Sequence, residues 1–142
     1  MKKTLLFATV IAFITSACSK RIEDRLIGSW KLISSYKQRT FDRDHFSTGY
    51  ETGIFIFNEN GTAVYTSNTD TLTGYWNADH YSVNTGSDTK SLRHLKIELV
   101  NFLQNRLLFW EFDDFNFRNT WKTIRAEEYT LNYTRVYEFT KQ

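Results

Sequence analysis

The feature that most constrains the fold is the alternation of apolar and polar residues that begins at Gly28. Short runs with an apolar residue at every second position are separated by turn signals about every ten residues, and no long amphipathic helix lies between them. We count about eight such runs, which predicts an all-β antiparallel meander, either a barrel or a sandwich. The length of 142 residues is enough for one domain.

Two local signals support the meander. Asn60 and Gly61 stand between apolar runs, and this pair is favoured in turns that need positive φ. Leu95, Ile97 and Leu99 alternate with charged residues, as expected of a strand with one buried face. Proline is absent and aromatic residues make up 17% of the chain, which favours strands over disorder.

The first residues have the pattern of an export signal. Lys2 and Lys3 precede an apolar run of about a dozen residues, too short for a stable membrane span, and small residues follow it. The alternative is an anchor helix that is never cleaved. We expect residues 1–17 to be removed, which leaves residues 18–25 as a tether and residues 26–142 as the folded domain.

Cys18 is the only cysteine, so a disulfide within the chain is excluded. It is either an unpaired thiol or a lipidation site. The segment "TSAC" resembles the lipobox of bacterial lipoproteins, in which the cysteine receives acyl chains and becomes the mature N-terminus. This resemblance implies a membrane partner bound through lipid on Cys18, since acyl chains supply the anchoring energy.

The balance of charged residues limits the classes of partner that the chain can bind. The chain has 18 Lys and Arg residues against 16 Asp and Glu residues, and removal of residues 1–17 takes away two lysines and no acid. The remainder is neutral without a basic stripe, so nucleic-acid binding has no electrostatic basis. Lys20 and Arg21 precede any acid after the cysteine. That order favours the periplasmic leaflet of the outer membrane, because acids directly after the cysteine mark surface export in some Bacteroidetes lipoproteins.

The start of the first strand carries a family motif. "GSW", with Gly28 and Trp30, resembles the GxW motif of the lipocalin superfamily. The pieces "FNENGTAVYT", "TGYW" and "VYEFTK" resemble motifs of the lipocalin-like lipoproteins of Bacteroidetes, so the resemblance covers roughly residues 26–142. It implies an eight-stranded up-and-down barrel with a short N-terminal helix, in which Trp30 closes one end. A basic residue of the last strand would pack across Trp30, and Arg135 is the candidate; the alternative is that Arg135 is a rim charge.

The inward-facing positions of such a barrel follow from strand parity. We expect them to be Trp30, Leu32, Phe55, Phe57, Tyr65, Trp76, Leu95, Ile97, Leu99, Leu107, Phe109, Trp121, Tyr133 and Tyr137. The candidates for lining a ligand site are Phe55, Phe57, Tyr65, Trp76, Phe109, Glu111, Trp121 and Tyr133. Glu111 has the parity of its apolar neighbours, so it is either an inward carboxylate that orients a ligand or a rim residue at the strand end.

Catalytic and metal-binding constellations are not visible. His45 lies near two aspartates and His80 lies in a loop, but no second ligand pair has metal spacing. His94 has the parity of charged residues and is expected to face solvent. The chain has no Ser-His-Asp order, no glycine-rich phosphate loop and no CxxC motif. We therefore expect no metal, no cofactor and no enzymatic activity.

Two functions remain open. The first is non-catalytic binding of a small apolar or amphipathic molecule in the mouth of the barrel. The second is a filled barrel that presents the loops at residues 41–50 and 80–91 to a protein partner. A core of aromatic rings and a pocket lined by rings have the same pattern in a sequence, so an interior cavity is the feature that separates the two functions.

Overall fold

The computed structural model describes residues 21–142; the predicted signal at residues 1–17 and Cys18 lie outside the described residues. The described chain is all-β, as expected, and its strands form one antiparallel sheet. The strands are β1 (Gly28–Gln38), β2 (Arg43–His45), β3 (Ile54–Phe57), β4 (Thr62–Thr66), β5 (Thr71–Asn84), β6 (Thr89–Asn101), β7 (Arg106–Phe112), β8 (Asp114–Arg118), β9 (Thr123–Tyr129) and β10 (Thr134–Lys141).

The sheet has ten strands rather than about eight, and its ladder of hydrogen bonds is not closed. The order is β7-β6-β5-β4-β3-β1-β10-β9-β8, with β2 paired beside β1. Only Asp113 separates β7 from β8, so the chain cannot turn back to pair these two end strands. It crosses the opening instead: the Asp113 N–H donates to the Glu127 carbonyl at 2.8 Å, and the Arg93 N–H donates to Asp114 Oδ1 at 2.9 Å.

The N-terminal segment contains a single 3₁₀ turn, Glu23–Leu26, at the place where the resemblance implied a short helix. Trp30 follows at the start of β1 and is fully buried, and its Nε1–H donates to the Leu26 carbonyl at 2.6 Å. Gly28 lies between them with φ of +126°, a conformation that other residues rarely adopt. The expected role of Trp30 at the chain start is consistent with this burial.

Aromatic rings fill the space that the curled sheet encloses. Phe55 and Tyr65 are buried with ring centroids 4.9 Å apart, and Phe112 and Tyr137 are 5.0 Å apart. These separations are those of rings in direct contact. Burial raises the pKa of the Tyr137 hydroxyl to about 12. The interior at this level is therefore a packed core.

The inward face of β7 differs from the expectation. Leu107 and Phe109 are 71% and 51% exposed, whereas Leu108 and Phe112 are buried. Residues paired across antiparallel strands share a face. The inward Leu99 pairs with Leu108 in the observed register, so the parity predicted for β7 was wrong by one residue.

Strands β5 and β6 extend beyond their neighbours as a two-stranded ribbon. Their pairing continues to Asn84 and Thr89, past the last rungs that β5 shares with β4 and that β6 shares with β7. Every residue from 80 to 91 is exposed. We call residues 80–91 the arm; the sequence predicted a loop there.

Candidate functional site

The residues predicted to line an interior ligand site do not come together around one cavity. Phe55, Phe57 and Tyr65 are buried within the aromatic core. Trp76 is half-buried, contacts Phe57, and donates from Nε1 to the Asn58 carbonyl at 2.9 Å. These four side chains stabilise the fold.

The other four are not in the core and lie at three separate places, since only Phe109 and Glu111 are neighbours. Trp121 is 40% exposed in the β8–β9 connection. Tyr133 lines a polar cleft of about 400 Å³ beside Gln38 and Arg125. Phe109 faces outward, and Glu111 Oε1 is hydrogen-bonded to His94 Nε2 at 3.1 Å on the same outer face. An inward Glu111 is therefore excluded.

The cation that packs over Trp30 is Lys141, and the prediction of Arg135 was wrong. Lys141 Nζ lies 5.3 Å from the centre of the Trp30 ring. The two residues are register partners, at the point where β1 begins and β10 ends. Arg135 lies at the other end of β10, where Nη1 donates to Glu128 at 2.8 Å. That hydrogen bond raises the pKa of the Arg135 guanidinium above its ordinary value.

A large apolar depression lies on the outside of the sheet. We call it the outer groove; its volume is about 700 Å³. The exposed Tyr75, Leu107 and Phe109 form its walls. The complete lining is Thr62, Ala63, Val64, Thr73, Gly74, Tyr75, Glu98, Leu99, Val100, Phe102, Leu107 and Phe109.

The local sequence explains the groove. Gly74 lies in its floor, where a side chain would overlap the carbonyl oxygen of Glu98 on β6. The absence of a side chain lets β5 and β6 approach closely at this point. Strand β7 is apolar on both faces, so Leu108 enters the core while Leu107 and Phe109 remain outside. The outer groove therefore has a glycine without a side chain at its base and exposed apolar side chains along its sides.

One side of the outer groove carries charged side chains. Lys96 Nζ donates to Glu98 Oε1 at 2.8 Å and lies 5.1 Å from the centre of the Phe109 ring. The hydrogen bond to Glu98 raises the pKa of the Lys96 ammonium, and desolvation opposes this increase without cancelling it. An apolar trough with an ammonium and a carboxylate at its side suits a molecule with both apolar and polar parts.

The three histidines do not form a metal site with other ligating side chains in the part of the chain that the structure describes. His94 lies between two carboxylates, with Nδ1 3.5 Å from Asp79 and Nε2 3.1 Å from Glu111. His80 Nδ1 lies 3.9 Å from Glu23, and the His45 ring packs 5.4 Å from that of Tyr36. Within residues 21–142, no three metal-ligating side chains converge as a metal site requires.

The sequence did contain a signal for the outer groove. Residues 102–105 form a four-residue connection between the partners Asn101 and Arg106. A connection with an even number of residues pairs odd positions with even ones, so Leu99 must face Leu108. A three-residue turn formed by "LQN" would instead pair Leu99 with Phe109, and the parity predicted for β7 corresponds to such a turn.

Comparisons with known proteins give no family assignment. Protein-family models, curated proteins and solved structures all give no match to this chain. None of the helices described in residues 21–142 has the length and apolar character required to span a membrane.

Proposed function

We propose that the chain is a lipid-anchored, lipocalin-like protein of the bacterial envelope that binds a small apolar or amphipathic molecule without catalysis. We place the binding site in the outer groove and not in the interior of the barrel. The observation that carries this proposal is the volume of about 700 Å³ bounded by exposed apolar side chains, beside a core already filled by rings.

The size of the groove supports a small-molecule occupant. Small-molecule sites typically enclose about 300–1,000 Å³ and are lined mostly by apolar side chains with a few polar groups. Tyr75 is 68% exposed at one wall, and Leu107 and Phe109 stand at the other. A bound acyl or ring system would remove all three from water. The Lys96–Glu98 pair would meet its polar end.

The kinship with lipocalins is part of the proposal. It is supported by the residues around Trp30, at the end of the sheet where β1 begins. The order of features there is the one that the family motif implies. A 3₁₀ turn is followed by a glycine at positive φ and by the buried Trp30, and a cation of the last strand lies over the Trp30 ring. Lys141 supplies the cation. Membrane attachment through acylated Cys18, on the periplasmic side of the outer membrane, is the remaining part and depends on the "TSAC" motif.

The location of the site is tested with a fluorescent fatty acid. A fragment of residues 21–142 keeps every described contact, and we expect it to bind the probe saturably. The variant with Leu107→Ser and Phe109→Ser removes one wall of the outer groove without touching the core, and we expect at least tenfold weaker binding. Unchanged binding by this variant would place the ligand elsewhere.

A matched control distinguishes specific binding in the outer groove from non-specific adsorption of the probe to exposed apolar residues. Leu103 and Leu131 are fully exposed apolar residues that do not line the outer groove. Replacing both by Ser removes a similar amount of exposed apolar surface, and we expect probe binding to stay unchanged. Equal weakening in the two double variants would indicate non-specific adsorption.

The arm favours a second candidate function, recognition of a protein partner. Its exposed edges carry backbone groups that no neighbouring strand pairs, which is the geometry used for strand addition. The second predicted contact loop, residues 41–50, is held beside Glu51, which accepts hydrogen bonds from Thr48 N–H at 2.6 Å and Gly49 N–H at 3.0 Å. Cross-linking of envelope proteins to the arm, with and without deletion of residues 84–89, tests this function.

A further inference from the structure

A second depression lies at the end of the sheet where the described chain begins. We call it the Trp121 cleft; its volume is about 430 Å³. It is lined by Asp24, Arg25, Ile27, Glu59, Trp121 and Lys141. Two cations, two carboxylates and one indole ring thus surround one small volume.

The four charged side chains of this cleft have no partner within the described part of the chain. Among the described residues 21–142, no ion pair or side-chain hydrogen bond includes Asp24, Arg25, Glu59 or Lys141. The Nε atom of Arg25 is buried and has no hydrogen-bond partner. Buried polar groups are normally satisfied, so this nitrogen is an exception, and the guanidinium to which it belongs lines the open cleft.

The two cations are held in place by rings instead of by acids. The Arg25 guanidinium carbon lies 3.7 Å from the centre of the Trp121 ring, and Lys141 Nζ lies 5.3 Å from the centre of the Trp30 ring. Contact with a ring face stabilises a cation. The N–H groups in the plane of a guanidinium, and those of an ammonium that point away from the ring, can still bind an acceptor. Arg25 and Lys141 are therefore oriented donors.

Trp121 is displayed by an unusual turn. Asn119, Thr120 and Trp121 have φ of +50°, +54° and +72°, although none of them is glycine. Positive φ is rare for a bulky residue, and such strain concentrates at binding sites. The ring is 40% exposed, so it offers an apolar surface with a polar edge, the character that places tryptophan at membrane–water boundaries.

The cleft lies within reach of the proposed anchor. Asp24 follows Cys18 by six positions in the sequence, and a chain of that length spans at most about 20 Å. The inference rests on the proposed function in this respect: acylation of Cys18 would hold this end of the sheet against the bilayer. Glu23 and His80, 3.9 Å apart, place the start of the arm at the same end.

We propose that the Trp121 cleft binds the headgroup of a zwitterionic phospholipid that joins a phosphate to a primary ammonium group. The phosphate accepts hydrogen bonds from Arg25 and Lys141, the ammonium donates to Asp24 and Glu59, and the glycerol carbons contact Trp121. A simple anion would satisfy the cations and leave the two carboxylates to repel it. A zwitterion satisfies all four groups with no net charge transferred into the cleft.

The experiment uses the full chain, produced in bacteria, purified from the whole-cell lysate in a phospholipid-free detergent and titrated with glycerophosphoethanolamine. The readout is the NMR signal of the Trp121 indole N–H, assigned by its loss in Trp121→Phe. We expect a saturable shift, and at least tenfold weaker binding in the variant with Arg25→Gln and Lys141→Gln. A control with Arg39→Gln and Arg43→Gln removes the same charge elsewhere and should bind normally.

Three further titrations give decisive outcomes. Inorganic phosphate and ethanolamine, each alone, should bind at least tenfold more weakly than the joined headgroup; equal binding of phosphate would overturn the zwitterion in favour of a simple anion site. Glycerophosphocholine lacks the ammonium N–H donors and should also bind more weakly. If the double variant fails to fold, Glu59→Gln in the exposed turn must weaken the binding of glycerophosphoethanolamine and must not weaken the binding of phosphate, which this carboxylate repels. The absence of any saturable shift would overturn the proposal.

The outcome is independent of the anchor and of the outer groove. The titration takes place in detergent micelles, so it gives the same result whether or not Cys18 is acylated. Release of a Cys18→Ala variant from membranes tests the anchor, and the fatty-acid probe tests the groove. A failure of the headgroup site is therefore distinguishable from a failure of the proposed function.

Discussion

Trp30 is tied to Leu26 by a hydrogen bond of 2.6 Å, from the indole Nε1–H to the carbonyl oxygen one turn earlier in the chain. Both residues are fully buried. The bond satisfies an N–H that would otherwise be buried without a partner, and it fixes the 3₁₀ turn across the end of the sheet. The first tryptophan thus belongs to the core and also holds the chain that leads into it.

Replacing Trp30 by Phe should therefore cost much more stability than replacing Trp121 by Phe. The first change removes the hydrogen bond and leaves a cavity, for an expected loss of about 2–3 kcal/mol in the free energy of unfolding. The second change removes part of a half-exposed ring, and we expect a loss below about 1 kcal/mol. Urea unfolding of the two variants measures the difference; equal losses would contradict the placement of Trp30.

Gly74→Ala should destabilise the sheet. A methyl group at this position would overlap the Glu98 carbonyl oxygen, which belongs to the backbone of β6 and cannot move without breaking the ladder. We expect a loss of about 1–3 kcal/mol or more in the free energy of unfolding. Asn77→Ala, at an exposed position of the same strand, is the control. Full stability of Gly74→Ala would mean that the strands do not approach as described.

Glu51 should make stability depend on pH in the acid range. Burial alone would raise the pKa of this carboxyl, but hydrogen bonds from Thr48 and Ser47 outweigh that effect and lower the pKa below 4.5. Because the folded-state pKa is depressed, the stabilisation is fully present above the unfolded pKa near 4.5. It is lost as the pH falls through the lower folded-state pKa.

The comparison of wild type with Glu51→Gln measures this contribution. We expect the wild type to melt at a higher temperature at pH 7 and the difference to shrink below about pH 4.5. Glu59→Gln, an exposed glutamate with no described hydrogen bond, serves as the control. A difference that grows on acidification would have the wrong sign for a depressed pKa.

Cys18→Ala should release the chain from membranes, because Cys18 is the proposed site of the acyl chains. Fractionation of cells that express the full chain, with wild type beside the variant, measures the share that sediments with membranes. Incorporation of a labelled fatty acid gives a second measurement on the same samples. A variant that still sediments fully would contradict anchoring through Cys18, whatever the state of the folded domain.

Strand existence could be predicted from the sequence, whereas register could not be predicted without the correct turn length. The alternation in "LRHLKIELV" identifies the inward face of β6, and Leu95, Ile97 and Leu99 are buried as predicted. In "RLLFWEF" both faces are apolar, so periodicity gives no preference. Only the length of the connection between β6 and β7 decides which face of β7 enters the core. The observed four-residue connection turns Leu108 inward, whereas a three-residue turn would turn Leu107 inward.

The cation over Trp30 could not be predicted for a similar reason, since it depends on the register between strands that are far apart in the sequence. Arg135 and Lys141 are both odd-numbered residues of β10, so parity places both on the face of Tyr137. They lie six residues apart, about 20 Å along the strand. Only the pairing of β1 with β10 shows that Lys141 is the register partner of Trp30. Pairing of the first strand with the last depends on the whole fold, and local patterns do not specify it.

The arm has a consequence for local stability. Its final rungs have hydrogen bonds on one side only and contribute no side chain to the core, and an isolated two-stranded ribbon is marginally stable in water. Backbone amides of residues 82–91 should exchange with deuterium long before those of β1 and β10, and trypsin should cleave after Lys90 while the core stays folded. The molecule thus combines a rigid centre with one segment that can change its backbone pairing without a global unfolding event.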